Sequence, residues 1–130
     1  ESGEDTFGLK YNFLFDKVLS LGLFDGEIFE KELDFYIKKI NKYGTPLDNR
    51  KDYTKSDWII WSVALTNDIE KAKKMISPVN EFLVSSPDRI PFDDWYESVD
   101  GKHIMFRARS VQGGCFALLL EDELKNRRGK

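Results

Sequence analysis

Apolar residues recur along this chain at three- and four-residue steps, separated by short polar breaks. That spacing predicts a succession of amphipathic helices. Over 9–21 the stripe is Tyr11, Leu14, Val18 and Leu21, closed by Gly22. A second stripe, Phe29, Leu33, Tyr36, Ile37 and Ile40, marks a helix over 27–42, with Asp25 as its N-cap and Tyr43-Gly44-Thr45-Pro46 as its stop. The third helix is expected to open on a capping box, Thr54-Lys55-Ser56-Asp57. Its body over 58–65 is apolar nearly all round, which predicts burial on most sides. A fourth covers 69–84 with Ala72, Met75, Val79 and Phe82 inward; Pro78 either kinks it or restarts it after Ser77. The last runs over 111–125 with Ser110 as cap. Between the fourth and fifth lies the longest irregular stretch, where Asp100-Gly101 allows a small β-hairpin near 95–106. The fold class is therefore all-α, built from antiparallel helical hairpins as one helical domain over 1–130.

Connection lengths add a topological expectation. Short links join the first helix to the second and the third to the fourth, so those pairs should run antiparallel. The two long connections, 44–58 and 87–114, then emerge at the same end, together with Phe7-Gly8. Long loops on one end of a helical scaffold are a usual place for a binding or catalytic site.

Composition narrows the classes. Hydrophobic residues make up 41% of the 130, including ten Phe, five Tyr and three Trp, which is enough for a real core. The net charge is -3 and the only basic run is the short one at 125–130, so nucleic-acid binding has no electrostatic support. One cysteine, Cys115, excludes a disulfide framework and a cysteine-rich zinc site; one histidine, His103, argues against a histidine-based metal site. No metal or cofactor is expected. No apolar run approaches the roughly 20 residues of a membrane span. The chain starts at Glu1 without Met, which reads as a mature or excised segment, so a missing leader says little about compartment.

Several loop motifs carry a resemblance. Lys10-Tyr-Asn-Phe-Leu-Phe-Asp16, Pro46-Leu-Asp-Asn-Arg50, Thr54-Lys-Ser-Asp-Trp58, Pro87-Asp-Arg-Ile-Pro91 with Asp94-Trp95, and Phe106-Arg-Ala-Arg-Ser-Val-Gln-Gly-Gly114 resemble the C-terminal domain of the glutaminase A-like family, in order and spacing, from about Phe7 to Leu120. The resemblance implies an (α/α)6 toroid of which this chain is a fragment, joined to the remaining domains of a larger secreted, periplasmic or cell-surface protein. It implies amide hydrolysis of glutamine by the parent, with little activity in the isolated piece. A toroid acting on carbohydrate is the alternative, and a non-catalytic helical structural or interaction module a second one. An incomplete ring would leave apolar flanks on the first and last helices, open to self-association.

The loop end offers Asp57 and Asp94 as a catalytic pair, for acid and base or nucleophile work, if the loops face each other. Against this, Asp57 fits a capping position and Asp94 a surface turn. Asn49, Arg50, Arg107 and Arg109 are candidates for binding a carboxylate or carboxamide substrate, or for tying the loops to nearby aspartates. In an extended stretch Arg107 and Arg109 would share one face. Ser110, opening a Gly-rich helix start, is a candidate for holding an oxyanion, as a nucleophile, or simply as a cap; Gly113 and Gly114 serve either anion binding or close packing. Ser56 and Thr54 are further hydroxyls, with Lys55 as a possible base. Trp95 is the expected ligand contact, while Trp58 and Trp61 are expected in the core and Cys115 buried and inert.

Overall fold

The computed structural model describes residue 3 and residues 5–129. Among the described residues five α-helices, one 3-10 helix and two short strands follow in the order α1 (Phe13–Leu19), α2 (Gly26–Lys38), β1 (Tyr53–Lys55), α3 (Ser56–Val63), α4 (Ile69–Ser85), β2 (Trp95–Glu97), the 3-10 helix Ser110–Phe116 and α5 (Ala117–Arg128). The helix-rich class expected from the spacing is what the chain adopts. Among the described residues no helix is long and apolar enough to cross a membrane.

The core forms around α3. Ile59, Val63 and Ala64 have no exposure, because this helix is apolar on nearly every side and packs against α1, α4, α5, β1 and the 3-10 helix. Around it the amphipathic helices turn one stripe inward: Phe29, Leu33 and Tyr36 from α2, and Met75, Val79 and Phe82 from α4. Two caps start these helices as their sequences predict. Asp25 accepts from the Glu27 amide at 3.0 Å, and Asp68 from the amides of Glu70 and Lys71 at 2.8 and 3.2 Å. A buried ionic link sets the position of α1 and α5 about α3. Lys17 donates to the Ala64 carbonyl at 2.6 Å and pairs with Glu121 at 2.9 Å, which also holds Lys125 at 2.6 Å.

Several boundaries differ from expectation, each for a local reason. α1 stops at Leu19, before Gly22, with Ser20 in the left-handed region at φ 55°. α2 stops at Lys38 rather than 42, because Asn41 and Gly44 bridge each other in a tight turn and Gly44 has φ 142°, where a Cβ would lie 2.6 Å from Ile59 Cδ1. α4 continues through Pro78 without a restart; its buried face of Met75, Val79 and Phe82 is unbroken across the proline. Thr54 is no N-cap. It lies in β1 and donates its hydroxyl to the Thr45 carbonyl, so α3 starts after an extended Lys55 with no side-chain cap. Ser110 does not cap a single long helix either: Arg109 occupies the cap position without a side-chain bond, and Gly113-Gly114 lie in the 3-10 turn that precedes α5.

The expected hairpin over 95–106 is reduced to one bridge, Tyr96 with His103, closed around Gly101 at φ 76°. β2 instead pairs antiparallel with β1, in the register Tyr53 with Glu97, Thr54 with Tyr96 and Lys55 with Trp95. The Ser56 amide extends this pairing to the Asp94 carbonyl at 3.0 Å. The two long connections therefore meet, and residues 8–9 join them through Gly8 to Asp48 and the Leu9 amide to the Leu47 carbonyl at 2.8 Å. A second small core pins the rim to α4. Tyr96 stacks on Phe82 with ring centroids 3.6 Å apart and donates its hydroxyl to the Tyr43 carbonyl at 2.9 Å. Burial pushes that hydroxyl's pKa up, so it remains a donor.

Candidate functional site

At this rim the start of α3, the segment before α1 and the 3-10 helix enclose a cleft of about 480 Å³. Tyr11, Trp58, Trp61 and Phe15 supply aromatic walls, and Asp57, Ser110, Gly113 and Gly114 the rest of its surface. Tyr11 lies flat on Trp58, with centroids 3.8 Å apart and planes 18° apart; Phe15 meets Trp61 edge-on at 5.5 Å. Trp58 and Trp61, expected in the core, do pack against it, but they are half-buried and also line this cleft.

Asp57 is the titratable group best placed for chemistry. It is only 3% exposed, and its Oδ1 has no hydrogen-bond partner. The reason is steric. Gly114 packs so closely that a Cβ there would lie 2.9 Å from Asp57 Cβ and 2.5 Å from Trp61 Nε1, so the 3-10 helix covers the carboxyl. Burial pushes its pKa from 3.8 to about 6; the Lys55 ammonium opposes that shift and the Asp94 charge adds to it. With Thr54 in a strand, the capping box weighed for Asp57 does not form, although the first-turn amides of Asp57 and Trp58 still favour its ionised form slightly.

Asp94 sits behind this group rather than beside it in the cleft. It is fully buried, so it is not a surface turn. Arg109 binds it in a fork, Nε to Oδ1 at 3.0 Å and Nη2 to Oδ2, while Lys55 Nζ approaches Oδ2 at 3.8 Å. The Lys55 ammonium also lies over the rings of Trp58 and Trp95, at 5.0 and 5.4 Å. Trp95 stacks on Phe106 at 5.7 Å, is half-buried, and does not line the cleft. Neighbouring Asp93 is buried with Oδ2 unpartnered, and burial raises its pKa.

The other substrate-binding candidates divide between places. Arg107 and Arg109 do not share a face: Ala108 takes φ 52°, which turns the chain, so Arg107 goes to Asp88 at 3.4 Å and to His103 while Arg109 goes to Asp94. Asn49 and Arg50 line a separate pocket beside the end of α2, where Arg50 pairs with Asp48 at 2.6 Å. Ser110 does reach the cleft, exposed and near Asp57. Ser56 is buried, with the half-buried Cys115 thiol 4.0 Å from its hydroxyl. Residue patterning missed Tyr11 and Phe15, which read as helix stripe or helix surface; their place in the 10–16 segment that carries the family resemblance was the available signal. Lys55 was read only as a base, and its place between two indoles depends on the β1–β2 pairing.

Comparison with known proteins agrees with the fold. The model of the glutaminase A six helical-hairpin domain matches residues 2–119. Glutaminase A of Aspergillus oryzae is 35% identical over 120 residues, which cover 89% of this chain and 17% of that protein. A probable glutaminase of Arthroderma benhamiae is 34% identical over 108 residues, 81% of this chain and 12% of that protein. The chain thus spans less than a fifth of the length of these relatives. No solved structure matches it. With one family model running through nearly its whole length, over the same segments that build the cleft, this chain belongs to the glutaminase A six helical-hairpin domain family.

Proposed function

We propose that this chain supplies one wall of the active-site cleft of a glutaminase-type hydrolase, with Asp57 as its proton-transferring carboxyl. The observation that carries this reading is a covered carboxyl, pKa about 6, on a residue that lines an aromatic cleft and whose Oδ1 is buried without a hydrogen-bond partner. In hydrolysis of a glutamine carboxamide, water adds at the carbonyl carbon and the C–N bond breaks. A carboxyl titrating near 6 can take a proton from the attacking water as carboxylate and hand it to the departing nitrogen as the acid, giving glutamate and ammonia. Asp94 then acts as a positioning residue: its two oxygens are taken by Arg109, and its charge adds to the upward shift of the Asp57 pKa. Ser110, which lines the cleft, is assigned the substrate contact, and Trp95 supports Lys55 from behind.

The stacked Tyr11 and Trp58, with Trp61, favour a second reading, in which a sugar ring lies on the aromatic wall and Asp57 protonates a glycosidic oxygen. A full-length protein carrying this segment distinguishes the two when assayed against glutamine, peptidyl-glutamine amides and a glycoside panel. Replacing Asp57 by Asn should lower kcat roughly 10² to 10⁴-fold on the true substrate. Full activity in both Asp57→Asn and Asp94→Asn would eliminate the site.

The same proposal takes the helices as part of a larger toroid in a protein exported from the cytoplasm. Phe15 on α1 and Phe116, Leu119 and Leu120 near α5 are 48%, 64%, 67% and 50% exposed, an apolar flank suited to further helices of the ring. The isolated chain should then be inactive and self-associate in sedimentation; a monomer at high concentration would count against that role for the flank.

A further inference from the structure

Away from the Asp57 cleft, a second pocket of about 480 Å³ opens between the C-terminal end of α2 and the turn at 48–52. Lys38 and Lys39 stand on one wall, Arg50 and Lys51 on the other, with Asp48 and Asp52 as the carboxylates. Four cations against two anions make a net of +2 on a chain whose total is -3. Two of these charges are already used. Arg50 is held on Asp48 by three side-chain bonds between 2.6 and 3.0 Å, which fixes that wall and covers the Asp48 charge. Lys39 lies over the Phe35 ring at 5.2 Å. Lys38 and Lys51 make no ion pair among the described residues.

The lysines at the end of α2 are accounted for by the helix dipole. Lys51 is not, because it comes from the opposing turn and brings positive charge toward them across a concave surface. Like charges facing across a pocket are stabilised by an anion between them, and a concave site strengthens the attraction. We infer that this pocket binds an oxyanion of charge about -2, of the phosphate-monoester class. Its volume exceeds what a bare phosphate fills, leaving space for a small organic group, and Asn49 in the turn can donate its carboxamide N–H.

The test is an NMR titration of the 130-residue chain with inorganic phosphate and, separately, glycerol 2-phosphate, each against sodium chloride at equal ionic strength. The expected result is a saturable shift of the Ile40, Asn49 and Lys51 amides with both phosphates and none with chloride. Tighter binding of glycerol phosphate identifies an organic ligand; equal binding identifies the free ion. The Lys38→Gln, Lys51→Gln double variant should weaken binding at least tenfold, while Lys38→Arg, Lys51→Arg retains it and Asp57→Asn leaves it unchanged. Shifts that do not saturate, that chloride reproduces, or that persist undiminished in the double glutamine variant would overturn the inference.

Discussion

Replacing Asp57 by Asn should make this chain more stable above pH 6 and leave it almost unchanged at pH 4. In the unfolded chain Asp57 releases its proton near 3.8; in the folded chain it does so near 6. Between those values the folded state holds a proton that the unfolded state has lost. Stability therefore declines as pH rises through that window and levels off above it. One pKa unit is about 1.4 kcal/mol, so ionised Asp57 costs at most about 3 kcal/mol, and water reaching the cleft lowers the figure toward about 2 kcal/mol. Asparagine keeps the shape and never ionises. Urea unfolding followed by tryptophan fluorescence at pH 4.0, 5.0, 6.0 and 7.5 measures the difference directly. At pH 7.5 the variant's midpoint should rise by roughly 1 M, taking a denaturant slope of about 2 kcal/mol per molar, and the gap should close by pH 4.0. A gap independent of pH, or a variant less stable at pH 7.5, would refute the assignment of burial as the dominant influence on this carboxyl.

Three further outcomes follow from the same geometry. Gly114→Ala pushes a methyl into Trp61 and Asp57, so calorimetry or urea unfolding should show a loss of about 1 to 3 kcal/mol. Arg109→Met leaves the Asp94 charge buried beside only a distant Lys55 and should cost about 3 kcal/mol, whereas Arg107→Met, at a more open pair, should cost under about 1 kcal/mol in the same assay. Lys55→Met removes the cation that favours ionised Asp57, so carboxyl NMR should find its titration moved above 6; a downward move would contradict the placement of Lys55.

Periodicity located all five helical regions because each buries a stripe whose spacing is written locally. Phe29, Leu33 and Tyr36 identify α2 without knowledge of any other segment. The β1–β2 pairing was not readable in this way. Three-residue strands carry no period to detect, and Thr54-Lys55-Ser56-Asp57 satisfies a helix-capping pattern equally well until Trp95-Tyr96 arrives to claim its backbone. That one substitution of partners decides the candidate site. It removes Thr54 from the capping box with Asp57, places Lys55 between Trp58 and Trp95, and leaves Asp94 to Arg109. Connection lengths did anticipate a shared rim. They carried no information about which side chains would face one another across it, so Arg107, Asn49 and Arg50 were grouped with a cleft they do not line.

Because Tyr53 pairs with Glu97, the ladder joins positions 44 apart in sequence, and its hydrogen bonds form only after that intervening loop is closed. Closure of such a loop costs entropy before the pairing returns any energy, while α2 and α4 gain local contacts at once. The helices should therefore assemble ahead of the cleft, with Asp57 acquiring its raised pKa late in folding. Substitutions in the ladder should act on the unfolding rate far more than on the folding rate.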